Sequence, residues 1–343
     1  MEQTFSTLAP VVQTQYELHL HEMQRSAVGV GSETWFLRCE EGDYVIKFPA
    51  ASRIHHPEAE PELCVFLRMH GIPACDFLKN KKGSYISWNA DGRIFTVQRR
   101  FPGVTPGWNC ASNTLLMESA ELLGRIHAVL QAYPPLPEGI GAGFFYDMTS
   151  RRALDSYRRS LVAAIQLGEK ENAAELEWRI DFAEQVPAWQ FDLNRLTLRN
   201  THGDYCINQF LCENGHLTAI IDWTTACVHP VIWEIMRSFV YSAPSCAHGR
   251  VDTELLERYV CDYCRYGTLN DYDRENLFRL YLYQIAVCDY YGQYYASSNP
   301  NRAIYLRQAQ HGTRLLKYAG SVPLPGIGFE RAIKAGRSRL TGE

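Results

Sequence analysis

No stretch of this sequence is apolar for long enough to span a membrane. Its first twenty residues, MEQTFSTLAPVVQTQYELHL, carry charged and polar side chains where a secretion signal needs an apolar core. These two absences argue against a membrane partner and predict a cytoplasmic protein. Basic runs are missing as well. The 34 Lys and Arg are outnumbered by 38 Asp and Glu, for a net charge of -4, so nothing here would track a nucleic-acid backbone. Internal repeats and low-complexity tracts are absent. Eleven cysteines, an odd number without framework spacing, argue against a disulfide scaffold and for reduced, buried thiols. The one close pair, Cys261 and Cys264, has no second pair and no histidine cluster, so half of any zinc or redox site is lacking.

At 343 residues the chain is too long for one simple core. Thr34–Cys39 (TWFLRC) and Tyr44–Phe48 (YVIKF) flank the polar turn EEGD, which predicts a hairpin with Lys47 at the end of its second strand. Apolar residues at helical spacing in LCVFLRMHG, closed by Gly71, predict a helix over roughly 58–70. SYISW and RIFTVQRRF, joined through Asn89-Ala90-Asp91-Gly92, predict a second hairpin. The pattern breaks at Phe101-Pro102-Gly103, and from Asn113 onward helical spacing dominates. The expected organisation is therefore α+β: a β-rich unit with one helix over residues 1–100, and a mainly helical unit over 101–343.

Two segments carry most of the chemistry: His202-Gly203-Asp204-Tyr205-Cys206-Ile207-Asn208-Gln209 and Ile220-Ile221-Asp222-Trp223. Each sets a carboxylate at the end of a β-type run. Phosphoryl transfer from Mg-ATP asks little more than a carboxylate to orient the attacking hydroxyl and oxygen ligands for the metal on the phosphates.

In order and spacing these segments resemble the aminoglycoside phosphotransferase and choline kinase family, over about residues 25–240. The resemblance implies a protein-kinase-like two-lobed fold, with ATP and Mg2+ in the cleft between the lobes. It makes Asp204 the catalytic carboxylate, braced by His202, and Asp222 a ligand of Mg2+. The family's amide ligand is usually an Asn five residues past the catalytic Asp. Here that position is Gln209 with Asn208 before it, so either could hold the metal. Val45-Ile46-Lys47 resembles the strand whose lysine meets the phosphates, with Glu60 as its partner by spacing and Glu62 and Glu58 as alternatives. Gly29-Val30-Gly31-Ser32 would let backbone approach phosphate oxygens, and Gln98–Gly103 resembles the linker beside adenine. After Asp222 the chain reads VHPVIWEIMRSF, in which Glu234 stands where a helix carboxylate braces the loop.

The expected acceptor is a hydroxyl on a small molecule such as an aminoglycoside, choline, homoserine or a sugar, with a lean to amines. Asp289 among Tyr283, Tyr290, Tyr291, Tyr294 and Tyr295 would frame a cation, and Asp289 and Tyr290 are the substrate candidates. A competing expectation is a kinase-fold protein without turnover, as some spore-coat relatives appear in this family. A protein kinase is argued against, because Asp204 follows His-Gly and Asp222 precedes Trp rather than Phe-Gly.

Overall fold

Alternation of side chains builds the sheet. In β2 (Ser32–Cys39) and β3 (Gly42–Pro49), Trp35, Leu37 and Cys39 and then Tyr44, Ile46 and Phe48 turn to the buried face. Lys47 therefore points to the opposite face. The hairpin closes with Cys39 opposite Gly42. β1 (Leu20–Arg25), β4 (Ile86–Trp88) and β5 (Ile94–Arg99) complete a five-stranded antiparallel sheet in the order β1-β2-β3-β5-β4. The computed structural model describes residues 2–27, 32–49, 56–136, 149–185 and 191–319.

One element was not expected. Helix α1 (Glu2–Tyr16) contains Pro10, a residue that argues against a helix in sequence, yet Leu8 and Val12 sit one turn apart and bury against Trp35, Ile46 and Phe95. Helix α2 (Ala59–Met69) matches the expected span to within a residue at each end. It buries Leu63, Cys64 and Leu67 in one cluster with Leu123, Ile126 and Trp223 of the later chain, and not in the cluster beneath the sheet.

Beyond the sheet, α3 (Asn113–Val129) starts under Ser112, whose Oγ accepts from the Leu115 backbone N–H at 3.1 Å. α4 (Ser150–Gln166) and α5 (Lys170–Gln185) follow. Four short strands come next: β6 (Leu198–Thr201), β7 (Phe210–Glu213), β8 (His216–Ile220) and β9 (Cys227–Pro230). They pair as two antiparallel ribbons, β6 with β9 and β7 with β8, the second closed by Asn214-Gly215 at positive φ. The chain then runs through α6 (Val231–Ser242), α7 (Thr253–Tyr263), α8 (Asp271–Ala286), α9 (Tyr290–Ala296) and α10 (Ala303–Ala319). With 53% helix and 18% strand the fold is α+β, a β-sheet region followed by a helical one.

Cys261 and Cys264 lie at the end of α7, half-buried. Burial pushes both thiols up, Cys264 to about 11, and among the described residues neither joins a group of metal-ligating side chains. No helix among the described residues is long and apolar enough to cross a membrane.

Candidate active site

Lys47 reaches out of β3 to the two other members of an ionic triad. Its Nζ donates to Asp222 Oδ1 at 2.9 Å and lies 4.0 Å from Glu60 Oε1 in the first turn of α2. Glu58, one of the alternatives, instead accepts from Ser84 Oγ at 2.6 Å. Glu60 Oε1 also accepts from the Trp223 backbone N–H at 3.1 Å, which joins α2 to the segment carrying Asp222. Burial works against the Lys47 ammonium, but Asp222 and Glu60 override it and hold its pKa above the usual lysine range. Burial raises the Glu60 carboxyl, with Lys47 pulling against it. Burial opposes ionisation of Asp222 too, but Lys47 and the Thr224 hydroxyl, which donates at 2.8 Å, hold its carboxyl at about 2. Asp222 adopts the left-handed conformation, φ 64, which turns the chain sharply out of β8 and which Asp tolerates better than most residues.

The second segment leaves β6 as a tight loop. Gly203 has φ +78, and a Cβ built there would stand 1.8 Å from the Thr225 carbonyl oxygen. Only glycine fits. Gly203→Ala is therefore expected to displace the Asp204 loop and lower the thermal midpoint by several degrees, since the left-handed cost alone is about 1–2 kcal/mol before the clash. A differential scanning fluorimetry trace that superimposes on the wild type would refute this.

His202 is buried, and both its ring nitrogens are committed: Nε2 donates to the Ile221 carbonyl at 3.0 Å, and Nδ1 accepts from the Asp204 backbone N–H at 3.2 Å. It holds loop to strand. Glu234, fully buried on α6, accepts from the backbone N–H groups of His202 (3.2 Å), Gly203 (2.6 Å) and Tyr205 (3.4 Å), with His127 Nε2 at 2.9 Å. Burial opposes its ionisation, but the bond from His127 prevails and its pKa is lowered. Glu234 thus takes the loop-bracing position expected of it.

Asp204 itself sits between two donors. Arg237 Nε donates to Oδ1 at 2.5 Å and Arg237 Nη2 donates to the same oxygen, while Gln209 Nε2 donates to Oδ2 at 2.8 Å. Gln209 thus spends its amide nitrogen on Asp204 and keeps its carbonyl oxygen. Its backbone oxygen accepts from the Ile221 N–H at 2.9 Å, so Gln209 and Asp222 leave adjoining ends of the β7–β8 ribbon. A carboxylate and an amide oxygen are donors that suit a hard divalent cation, and the Asp222 side chain keeps 41% of its surface open. The residues fit Mg2+. Asn208, the other candidate, is half-buried beside Gln209, and among the described residues its side chain makes no hydrogen bond.

Tyr290 lies beside Arg237, within hydrogen-bonding reach and in the field of Asp204. Burial raises its phenol to about 12, with Arg237 pulling it down. Asp289 departs from expectation. Its carboxylate accepts from Ser156 Oγ of α4, so the group meant to frame a cation is already engaged by a hydroxyl. Gly29 and Gly31 lie outside the described residues. Ser32, which follows them, opens β2 and lines a cleft with Lys47, Glu60, Ile86, Thr96 and Thr224.

Arg237 was missed from sequence, although a signal was present. It stands three residues after Glu234, so once Glu234 is assigned to the loop, the next turn of the same helical face must look toward Asp204.

A sheet carrying a buried lysine, a helix glutamate beside it and carboxylates at two strand ends define a kinase-like phosphotransferase fold. The chain belongs to the phosphotransferase enzyme family, which it matches over residues 22–278. Among solved structures it is similar to amicoumacin kinase hAmiN, in complex with AMP-PNP, Ca2+ and Ami, with TM-score 0.62 and 12% identity over 95% of this chain and 96% of that one. It is also similar to spectinomycin phosphotransferase APH(9)-Ia, in complex with ADP and spectinomycin (TM-score 0.61, 17% identity, 97% and 98% covered). A microcompartment-associated aminopropanol kinase is a third (TM-score 0.60, 12% identity, 92% and 98% covered). At these identities the likeness shows the fold. No curated protein matches by sequence.

Proposed function

We propose that the protein is a small-molecule kinase that moves the γ-phosphoryl group of ATP to a hydroxyl. The observation that carries this reading is the pairing of Lys47 with Asp222 next to an Asp204 carboxylate fixed from two sides. The nucleotide would lie between the β-rich unit ending near residue 100 and the helical unit that follows. The nucleotides in the amicoumacin kinase and spectinomycin phosphotransferase complexes support that choice.

In this reading Asp204 accepts the hydrogen bond of the acceptor hydroxyl and takes its proton as the new O–P bond forms and the bond to the ADP oxygen breaks. Arg237 and Gln209 keep the carboxylate from turning, so the hydroxyl meets it in one orientation. Lys47, braced by Glu60, neutralises phosphate charge, and the Gly29–Ser32 segment would offer backbone N–H groups. Asp222 with Gln209, or Asn208 in its place, would hold Mg2+, which would supply positive charge against the phosphates. His202 and Glu234 shape the loop.

Lys47→Met is expected to raise the Kd for AMP-PNP by about tenfold or more, the loss of one charge-assisted contact. Calorimetric titration measures it, and an unchanged Kd would remove Lys47 from the nucleotide site. The overall test is ADP release from Mg-ATP across aminoglycosides, macrolides, choline, ethanolamine, homoserine and simple sugars. Release that depends on one acceptor supports the kinase. A second reading, a kinase-fold protein that binds nucleotide without turnover, draws on both Asp204 oxygens being hydrogen-bonded already. It predicts AMP-PNP binding with no release on any acceptor.

A further inference from the structure

Behind Arg237 the chain gathers positive charge and aromatic rings. Arg307, His311 and Arg314 follow one another at spacings of four and three on α10, and so share one face of that helix. The Arg307 guanidinium stands 4.1 Å from the centre of the Trp108 ring, and that of Arg237 stands 4.7 Å from the centre of Tyr241. Trp108 and Tyr241 meet edge-on at 4.9 Å, and His311 touches both, at 5.9 and 5.1 Å between ring centres. All three arginines act on the His311 ring.

One feature of this cluster lacks a structural explanation. His311 is only 3% exposed, and its Nε2 is buried with no hydrogen-bond partner among the described residues, while its other ring nitrogen reaches the Cys246 backbone. Burial and then Arg314, Arg237 and Arg307 hold the imidazole down at about 4, so that nitrogen is bare at neutral pH. Two of the guanidinium groups are also open to a ligand. Asp204 neutralises Arg237, whereas Arg307 and Arg314 are exposed and, among the described residues, make no ion pair. Exposed guanidinium groups beside a buried, unpaired ring nitrogen suit a ligand that brings both an anionic oxygen and a proton.

We propose that the cluster of Arg307, His311 and Arg237, walled by Trp108 and Tyr241, receives an anionic group of the acceptor, a carboxylate or a phosphate. The proposal rests on the kinase reading, since it is the Arg237–Asp204 pair that sets this cluster on the acceptor side. It reverses the lean to amines. An ammonium here would meet guanidinium groups, and the carboxylate expected to welcome it, Asp289, is held by Ser156. The bound anion accepts from Arg307, and a proton taken from solvent or from the group's own acid form would settle on Nε2, so that His311 donates to it as well.

The test is the imidazole NMR signal of His311 in the full chain, assigned by its loss in His311→Asn and titrated separately with acetate and with methyl phosphate, with and without AMP-PNP. A saturable shift toward the protonated ring is expected with at least one probe, and which one it is tells carboxylate from phosphate. Arg307→Gln should weaken that binding by about fivefold or more, the worth of one partly screened charge contact, with Arg307→Lys recovering part of it. AMP-PNP affinity should stay as in the wild type, because Arg307 does not line the cleft that holds Lys47. A His311 signal that neither probe moves, or one that moves equally in Arg307→Gln, overturns the proposal. Failure of AMP-PNP to bind would instead count against the kinase reading, which the titration without nucleotide keeps separate.

Discussion

Asp204→Asn is expected to lower acceptor-dependent ADP formation by about 10²–10⁴-fold, the usual worth of a positioned acid–base group, with AMP-PNP affinity unchanged. Asn is the informative replacement. An amide oxygen still accepts from Arg237, so the buried guanidinium keeps a partner, and Gln209 gives up only its bond to Oδ2 and keeps its carbonyl oxygen for the metal. What disappears is the negative charge that orients and deprotonates the hydroxyl. Asp204→Ala should lose the rate equally and lose stability as well, because it strands Arg237 in a buried site with no counter-charge. Comparing the two variants by a coupled ADP assay and by thermal unfolding separates chemistry from folding. Full turnover in either would take Asp204 out of the reaction.

The second large effect belongs to a residue that touches no substrate. Glu234 gathers three backbone N–H groups and one imidazole onto a single buried carboxylate. Glu234→Ala leaves all four without their acceptor and should cost about 3–5 kcal/mol in urea unfolding, with activity falling as the Asp204 loop loosens. The pH dependence has a definite sign. The folded pKa of Glu234 is lowered, so its contribution is complete above the pKa of the unfolded chain and is lost as pH falls through the lower folded value. Wild-type stability should therefore decline below the ordinary glutamate range, and Glu234→Gln should decline less steeply over that same interval. Parallel curves for the two proteins would show that another carboxylate governs acid unfolding.

Much of this arrangement was legible in sequence because local chemistry and global fold agree there. Both sheet hairpins announce themselves through alternation and turn residues, and α2 and α3 through apolar spacing and caps. Glu60 could be preferred over Glu62 and Glu58 only through the spacing that the family resemblance implies, and its Oε1 lies 4.0 Å from Lys47 Nζ. Failures occurred where the decisive partner is distant in sequence. Asp289 among its tyrosines could be read either as a cation site or as a capped carboxylate beside a packed aromatic stripe, and the partner it has, Ser156, lies far back on another helix. The orphaned nitrogen of His311 and the cations around it come from separate elements, and no window of sequence contains them. α1 was hidden by Pro10, whose cost is outweighed by burial that only the finished sheet provides.

The allegiance of α2 bears on how the protein could move. Its apolar face is sunk in the core of the later helices, and Pro73 and Cys75, just past its end, are bonded to Ile220 beside Asp222. Lys47 is carried by the sheet. The 4.0 Å between Lys47 and Glu60 therefore spans a seam that the Lys47–Asp222 pair also crosses, and rocking of the sheet would change both distances. That gap is a built-in gauge: a pair of labels across the seam would read how far the sheet tilts on nucleotide addition, while labels between α2 and α3 should read no change.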